Sequence, residues 1–246
     1  MKKVLLSFLL FFTICLPLFL VLNSQETSFT KNLHGNLDRI LENGKPDNFS
    51  FIVFGDNKNN FETLEFILEE AKRKKVLFAI VVGDFVRKCS ENNYNFFLKE
   101  VKETGIKDER IPLFTVIGNH DLEKDKRGDV YYKYFGKPDY WFSYGNSLFV
   151  VIDDARITIS KSQFNWLTEI LEENRGKYSH IFVFMHIPPF DYNKDRNKCL
   201  KKEVGQKFME LMNKYRVCRV FCGHIHVYHR DVIDGTTYII TGGGGA

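Results

Sequence analysis

No block of basic residues in this chain is long enough to argue for nucleic acid. Its 246 residues carry 35 basic against 31 acidic side chains, a formal net charge of +4, spread along the sequence. A nucleic-acid footprint is a localised basic stripe, so that class of partner has no signature here. Cysteine is also scarce. Cys15 lies in an apolar amino-terminal run, leaving Cys89, Cys199, Cys218 and Cys222, too few for a disulfide scaffold. Cys218 and Cys222 are four apart on an expected strand, so their α-carbons lie roughly 13 Å apart and cannot bridge. That separation also argues against a structural zinc site of Cys218, Cys222, His224 and His226, because zinc needs ligand atoms about 2.0–2.3 Å from one ion. Cys89 and Cys199 remain as a pair able to form a disulfide. There is no internal repeat, and low complexity is confined to Gly242–Gly245. With 44% hydrophobic residues the chain suits one large or two small packed domains.

Residues 4–22 are uncharged and mostly apolar, and Lys2 and Lys3 precede them. A helix of that length rises roughly 28 Å, about the hydrocarbon thickness of a bilayer. Cleavage by signal peptidase favours small residues at minus three and minus one, and Leu22-Asn23-Ser24 is poor at its first position. Thr13-Ile14 before Cys15 does not suit a lipoprotein site. Residues 1–23 are therefore read as a signal-anchor in preference to a cleaved signal peptide. Either way the rest of the chain is expected to be extracytoplasmic, anchored through residues 4–22 or secreted. Residues 24–48 read as a linker in which Leu33, Leu37, Ile40 and Leu41 permit a short packed helix.

From residue 49 strands and helices alternate: strand 49–54, helix 60–74, strand 77–82, helix 93–103, strand 111–117 and a short helix 129–135. A hairpin 140–152 turns at Gly145-Asn146-Ser147, with Trp141 and Phe142 read as sheet packing. Ser160-Lys161-Ser162-Gln163 is a capping box opening the next helix. Strand 180–185, helix 200–215, strand 217–222 and a hairpin about Asp234-Gly235 complete the order. Alternation of this kind argues an α/β fold, with the hairpins adding antiparallel strands.

Five apolar runs end abruptly in polar residues: Phe54-Gly55-Asp56, Val82-Gly83-Asp84, Ile117-Gly118-Asn119-His120-Asp121, Phe184-Met185-His186 and Cys222-Gly223-His224-Ile225-His226. Ligands of open α/β sheets bind beyond the carboxyl ends of strands, where these side chains would converge. Four of the seven histidines lie there. His34, His180 and His229 belong to no such block and read as surface or linker residues.

The ordered set resembles the calcineurin-like metallophosphoesterase family, whose blocks run Asp-x-His, Gly-Asp, Gly-Asn-His-Asp or -Glu, a lone His, and Gly-His-x-His. The resemblance covers about residues 49–246 and implies one domain there: two mixed β-sheets face to face with helices outside, a four-layer α/β/β/α sandwich. It also implies hydrolysis of phosphate mono- or diesters by a metal-bridging hydroxide. The cofactors would be two divalent ions (Mn, Fe or Zn), which lower the pKa of a water and clamp the phosphoryl oxygens. Carried over, Asp84 bridges both ions, Asp56 and His226 complete the first, and Asn119, His186 and His224 the second. His120 acts on the phosphoryl or leaving group with Asp121 orienting its ring, and Asn119, His120 and Lys58 meet the substrate. The substrate class and oligomeric state have no signature. Family members often continue beyond the equivalent of Ala246.

Two positions depart from the pattern. Lys58 stands where the family has histidine, and Arg87 stands where the purple acid phosphatase branch has a metal-binding tyrosine. A protonated lysine cannot ligate. Either Lys58 projects over the site and pairs with a phosphate oxygen, or its ammonium repels the first ion, leaving a mononuclear or non-catalytic binding domain.

Overall fold

The computed structural model describes residues 36–42, 48–104, 111–122, 125, 127–193 and 198–246. The expected signal-anchor and most of the expected linker lie outside the described residues. Among those described, no helix is long and apolar enough to cross a membrane. Residues 36–42 are helical, with Ile40 fully buried.

Strands β1 (Phe51–Phe54), β2 (Phe78–Val82) and β3 (Leu113–Val116) form a three-stranded sheet in the order β1-β2-β3. All its pairings are parallel, so this sheet is not mixed as expected. The second sheet has six strands: β4 (Tyr140–Tyr144), β5 (Ser147–Val151), β6 (His180–Phe184), β7 (Arg219–Cys222), β8 (Tyr228–Ile233) and β9 (Thr236–Thr241). Its order is β4-β5-β6-β7-β9-β8, parallel from β5 through β9 and antiparallel at both edges. The helices are α1 (Phe61–Arg73), α2 (Glu91–Glu103), the single turn α3 (Asn119–Leu122), α4 (Asp129–Phe135), α5 (Lys161–Glu173) and α6 (Lys202–Lys214).

The layering follows from side-chain alternation. In β2, Phe78, Ile80 and Val82 enter the core between the sheets, while Ala79 and Val81 face the core beneath α1, α2 and α4. Phe142, Phe149, Phe182 and Phe184 meet the first sheet from the second. Phe114 stacks on Phe142 at 4.4 Å and Phe78 lies edge-on to Phe149 at 5.3 Å. Fully burying each ring is worth about 1.5–3 kcal/mol. The opposite face of the second sheet packs Val150 and Val183 against Leu167 of α5 and Phe208 of α6. Two cores outside and one between make the four layers α/β/β/α.

The turns carry the local chemistry. The first hairpin turns on two residues, Gly145-Asn146, with Ser147 already paired to Tyr144. Gly145 has φ +54°, as the first central position of a type II′ turn requires. The Ser160–Gln163 capping box is present with both hydrogen bonds. Phe142 is buried as sheet packing, but Trp141 points outward and is 39% exposed. Because the parallel strands share a direction, the ends of β1, β2, β3, β6 and β7 reach one edge of the sandwich.

Candidate metal centre

At that edge several residues adopt left-handed backbone, among them Asp56 at φ +60°, Asp84 at +53° and His224 at +66°. Such conformations cost of order 1–3 kcal/mol each and persist where the surroundings enforce them. The enforcement is visible. Asp56 N–H donates to Gly83 O at 3.0 Å, and His224 N–H donates to Asp56 Oδ2 at 2.9 Å. A β-carbon on Gly83, itself at φ +86°, would lie 2.3 Å from His186 Nδ1, so only glycine lets these strand ends approach.

The ligand-bearing atoms converge closely. His186 is fully buried and its Nδ1 lies 2.8 Å from Val82 O, which fixes the proton there and turns Nε2 to the site. Nε2 is 3.1 Å from Asn119 Oδ1 and 3.3 Å from Asp84 Oδ1. Asn119 Oδ1 is in turn 2.9 Å from His224 Nδ1. Four oxygen and nitrogen atoms thus face one another, an arrangement that calls for a proton or a cation. Burial alone would depress His186, yet Asp84 pushes it up to about 10, while burial and His186 hold His224 down to about 3. Burial would raise the Asp84 carboxyl, but the imidazoles of His186 and His120 and the His120 N–H outweigh it and keep it below the usual range.

A divalent ion fits this set. Nitrogen and oxygen atoms about 2.0–2.1 Å from one ion lie roughly 3.3 Å apart in a tetrahedron, close to the separations here. Asp84, His186 and His224 also form the cluster in which every ligand atom lies within 4.8 Å of the others.

The profile of the calcineurin-like phosphoesterases matches residues 49–228. The chain belongs to that family. Curated relatives of this phosphoesterase include serine/threonine-protein phosphatase CPPED1 of Pongo abelii, 31% identical over 67% of this chain and 56% of its own length. Another is purple acid phosphatase 23 of Arabidopsis thaliana, 28% identical over 55% of this chain and 34% of its own. The chain thus spans about half the length of the CPPED1 relatives it matches. Among solved structures it superposes on a dimetal phosphatase from Danio rerio (TM-score 0.63, 15% identity, 78% of this chain and 86% of that one). It also superposes on a purple acid phosphatase from yellow lupin (TM-score 0.64, 18% identity, 82% and 45%). These likenesses show the fold.

The first ion position differs from the second. Asp56 Oδ1 is buried without a hydrogen-bond partner, 3.5 Å from His226 Nε2. A lone acceptor there suits a cation, but Lys58 supplies one: its Nζ lies 3.1 Å from His226 Nε2 and 3.5 Å from Asp84 Oδ2. Lys58 therefore lies within the site, beside two of the side chains expected to hold the first ion. The ligand set at the first position does not fit an ion with the ammonium in place.

Asp121 is a second correction. It does not orient His120, because neighbouring residues of a helix turn point apart. The His120 ring is held through Nδ1, 3.0 Å from Arg87 O, which leaves Nε2 3.9 Å from Asp84 Oδ2. Asp121 is fully buried, and its carboxylate accepts N–H groups of Asp84 and Gly118 at 2.8 Å and Val86 at 3.2 Å. It ties the end of β2 to the end of β3.

Asp154 went unnoticed in the sequence. Its carboxylate accepts the N–H groups of His186 at 2.9 Å and Ile187 at 2.8 Å, setting the turn that presents His186. The signal was available, since Ile152-Asp153-Asp154 is another apolar run ending in acid. The expected Cys89–Cys199 disulfide is absent. Cys89 packs beneath the small sheet and Cys199 lines a cavity beside Pro189 and Leu200 on the other sheet's side. Cys222 is buried in the outer core of the second sheet and Cys218 packs toward the inner one, so they share no zinc. His180 is exposed, His229 lies against Tyr192 with the rings tilted and their centroids 5.1 Å apart, and His34 lies outside the described residues.

Proposed function

We propose that this phosphoesterase hydrolyses phosphate mono- or diesters with a divalent ion, Mn, Fe or Zn, held by Asp84, Asn119, His186 and His224. The observation that carries the reading is the convergence of those four side chains from four strand ends, at 2.9–3.3 Å from atom to atom. When bound, the ion supplies a water of lowered pKa and positive charge against the phosphoryl oxygens. The remaining work falls to the chain. A cavity of about 630 Å³ opens beside these residues, lined by Lys58, Asn60, Phe61, Arg87, His120 and His226. Its cationic side chains receive an anionic ester. His120 Nε2 faces the space beside Asp84 and hands a proton to the leaving oxygen, its ring braced by the Arg87 carbonyl. Asn119 holds its amide oxygen between two imidazoles and its amide nitrogen is available to the phosphoryl group.

Paired aryl monoester and diester substrates, assayed with defined metals on the purified chain, test this. Turnover of one or both that depends on added metal is expected, and none with either under any metal would end the reading. The apolar run 4–22 behind Lys2 and Lys3 supports export or anchoring. Fractionation of cells expressing the full chain tests that, with recovery only in the cytosol counting against it.

A further inference from the structure

We propose that Lys58 is a built-in cation that takes the place of the first metal, so that this site holds one divalent ion and one ammonium. The inference rests on the metal-dependent reading above and sharpens it.

The backbone delivers the side chain there. Lys58 follows Asp56 by two residues, at φ +43°, and its N–H donates to Asp84 O at 3.0 Å. The side chain starts at the strand ends and is only 16% exposed. An ammonium has three donors and no lone pair, so it cannot ligate. It can donate to the His226 Nε2 lone pair at 3.1 Å and to Asp84 Oδ2 at 3.5 Å, the two atoms an ion at the first position would take. An ion about 2.0–2.2 Å from both, on the side that Nζ occupies, would overlap it. Asp84 therefore divides its carboxylate: Oδ1 faces His186 and the second position, and Oδ2 faces Lys58.

The charge count remains workable. One dication and one ammonium give +3, and Asp56 and Asp84 bring that to +1, still attractive to a phosphate ester. Two dications beside the same ammonium would give +5 before the two carboxylates, crowding like charges within a few ångströms. Lys58 also lines the cavity mouth with Arg87, so the same ammonium faces an incoming phosphoryl oxygen. Asp56 Oδ1 is the vacant acceptor through which a second ion would enter once the lysine is gone.

The test counts ions. The purified full chain is stripped with chelator, loaded with Mn²⁺, desalted and analysed for manganese per chain, with electron paramagnetic resonance to detect coupled pairs. Wild type should hold one ion with an uncoupled spectrum. Lys58→His should hold two with a coupled spectrum, and Lys58→Ala should gain a second, weaker ion. Circular dichroism checks that both variants fold. Two coupled ions in wild type, or a single ion in folded Lys58→His, would overturn the inference while leaving metal dependence standing. No bound ion in wild type would sink both.

Discussion

Asp121 gives the sharpest test of how the site is braced. Asp121→Ala leaves three backbone N–H groups, of Asp84, Val86 and Gly118, without their acceptor in a buried place. Each buried donor left unpaired costs about 1–3 kcal/mol, so three sum to about 3–9 kcal/mol before water re-pairs any of them. Total stability is about 5–15 kcal/mol. Even the low end, about 3 kcal/mol, lowers Tm by roughly 6–12 °C in a domain of this size. The loss should reach the metal, because Asp84 keeps its left-handed backbone only while its N–H is held. Asp121→Asn can keep two acceptor contacts but sets an amide N–H against the third donor, a loss of about 1–3 kcal/mol. Thermal unfolding and bound-metal analysis on both variants should show Tm and metal affinity falling together, Ala more than Asn. A variant with wild-type Tm and metal content that is slow only on poor leaving groups would refute the reasoning and make Asp121 the orienter of His120.

His120→Ala should retain metal and lose about 10²–10⁴ in turnover, with a smaller loss for aryl phosphates, whose leaving oxygen needs no proton. Metal loss equal to that of His186→Ala would instead make His120 a ligand. Burial raises the Asp154 carboxyl to about 7 from 3.8, against the pull of His186 and of two N–H donors. Between those pH values the folded chain holds a proton that the unfolded chain has released, so stability falls as pH rises, by on the order of 4 kcal/mol at most. Denaturant unfolding of the chelated protein at pH 5 and pH 8 should show that fall, and Asp154→Asn should remove it; an unchanged slope would assign the titration elsewhere.

The strand-end grammar was legible because each block joins a short apolar run to residues that fit only a close-packed loop. Gly83 illustrates it: the glycine visible in sequence is the one that admits the His186 ring. Helix faces were legible for the same local reason, with Leu64, Leu68 and Ala71 of α1 inward as their spacing predicts. Strand partners were not. Nothing in the run Arg219–Cys222 says that it pairs with β9 rather than with β8, which precedes β9 in the chain. The small sheet's wholly parallel pairing likewise depends on contacts across tens of residues. Asp121 was misread because its role was carried over from the family resemblance, whereas here its carboxylate accepts the backbone N–H groups of Asp84, Val86 and Gly118. Lys58 was visible as a departure, but only the folded chain shows its ammonium between His226 and Asp84.

The central claim is that Asp84 and its neighbours hold a metal that this chain needs to hydrolyse phosphate esters. Its most direct measurement is aryl phosphate turnover by chelator-stripped protein as Mn²⁺ is restored, with wild type and Asp84→Asn side by side. The account predicts no turnover without metal, saturable recovery in wild type, and neither recovery nor normal metal uptake in a folded Asp84→Asn. Turnover that survives stripping, or an Asp84→Asn variant matching wild type in rate and bound metal, would contradict it.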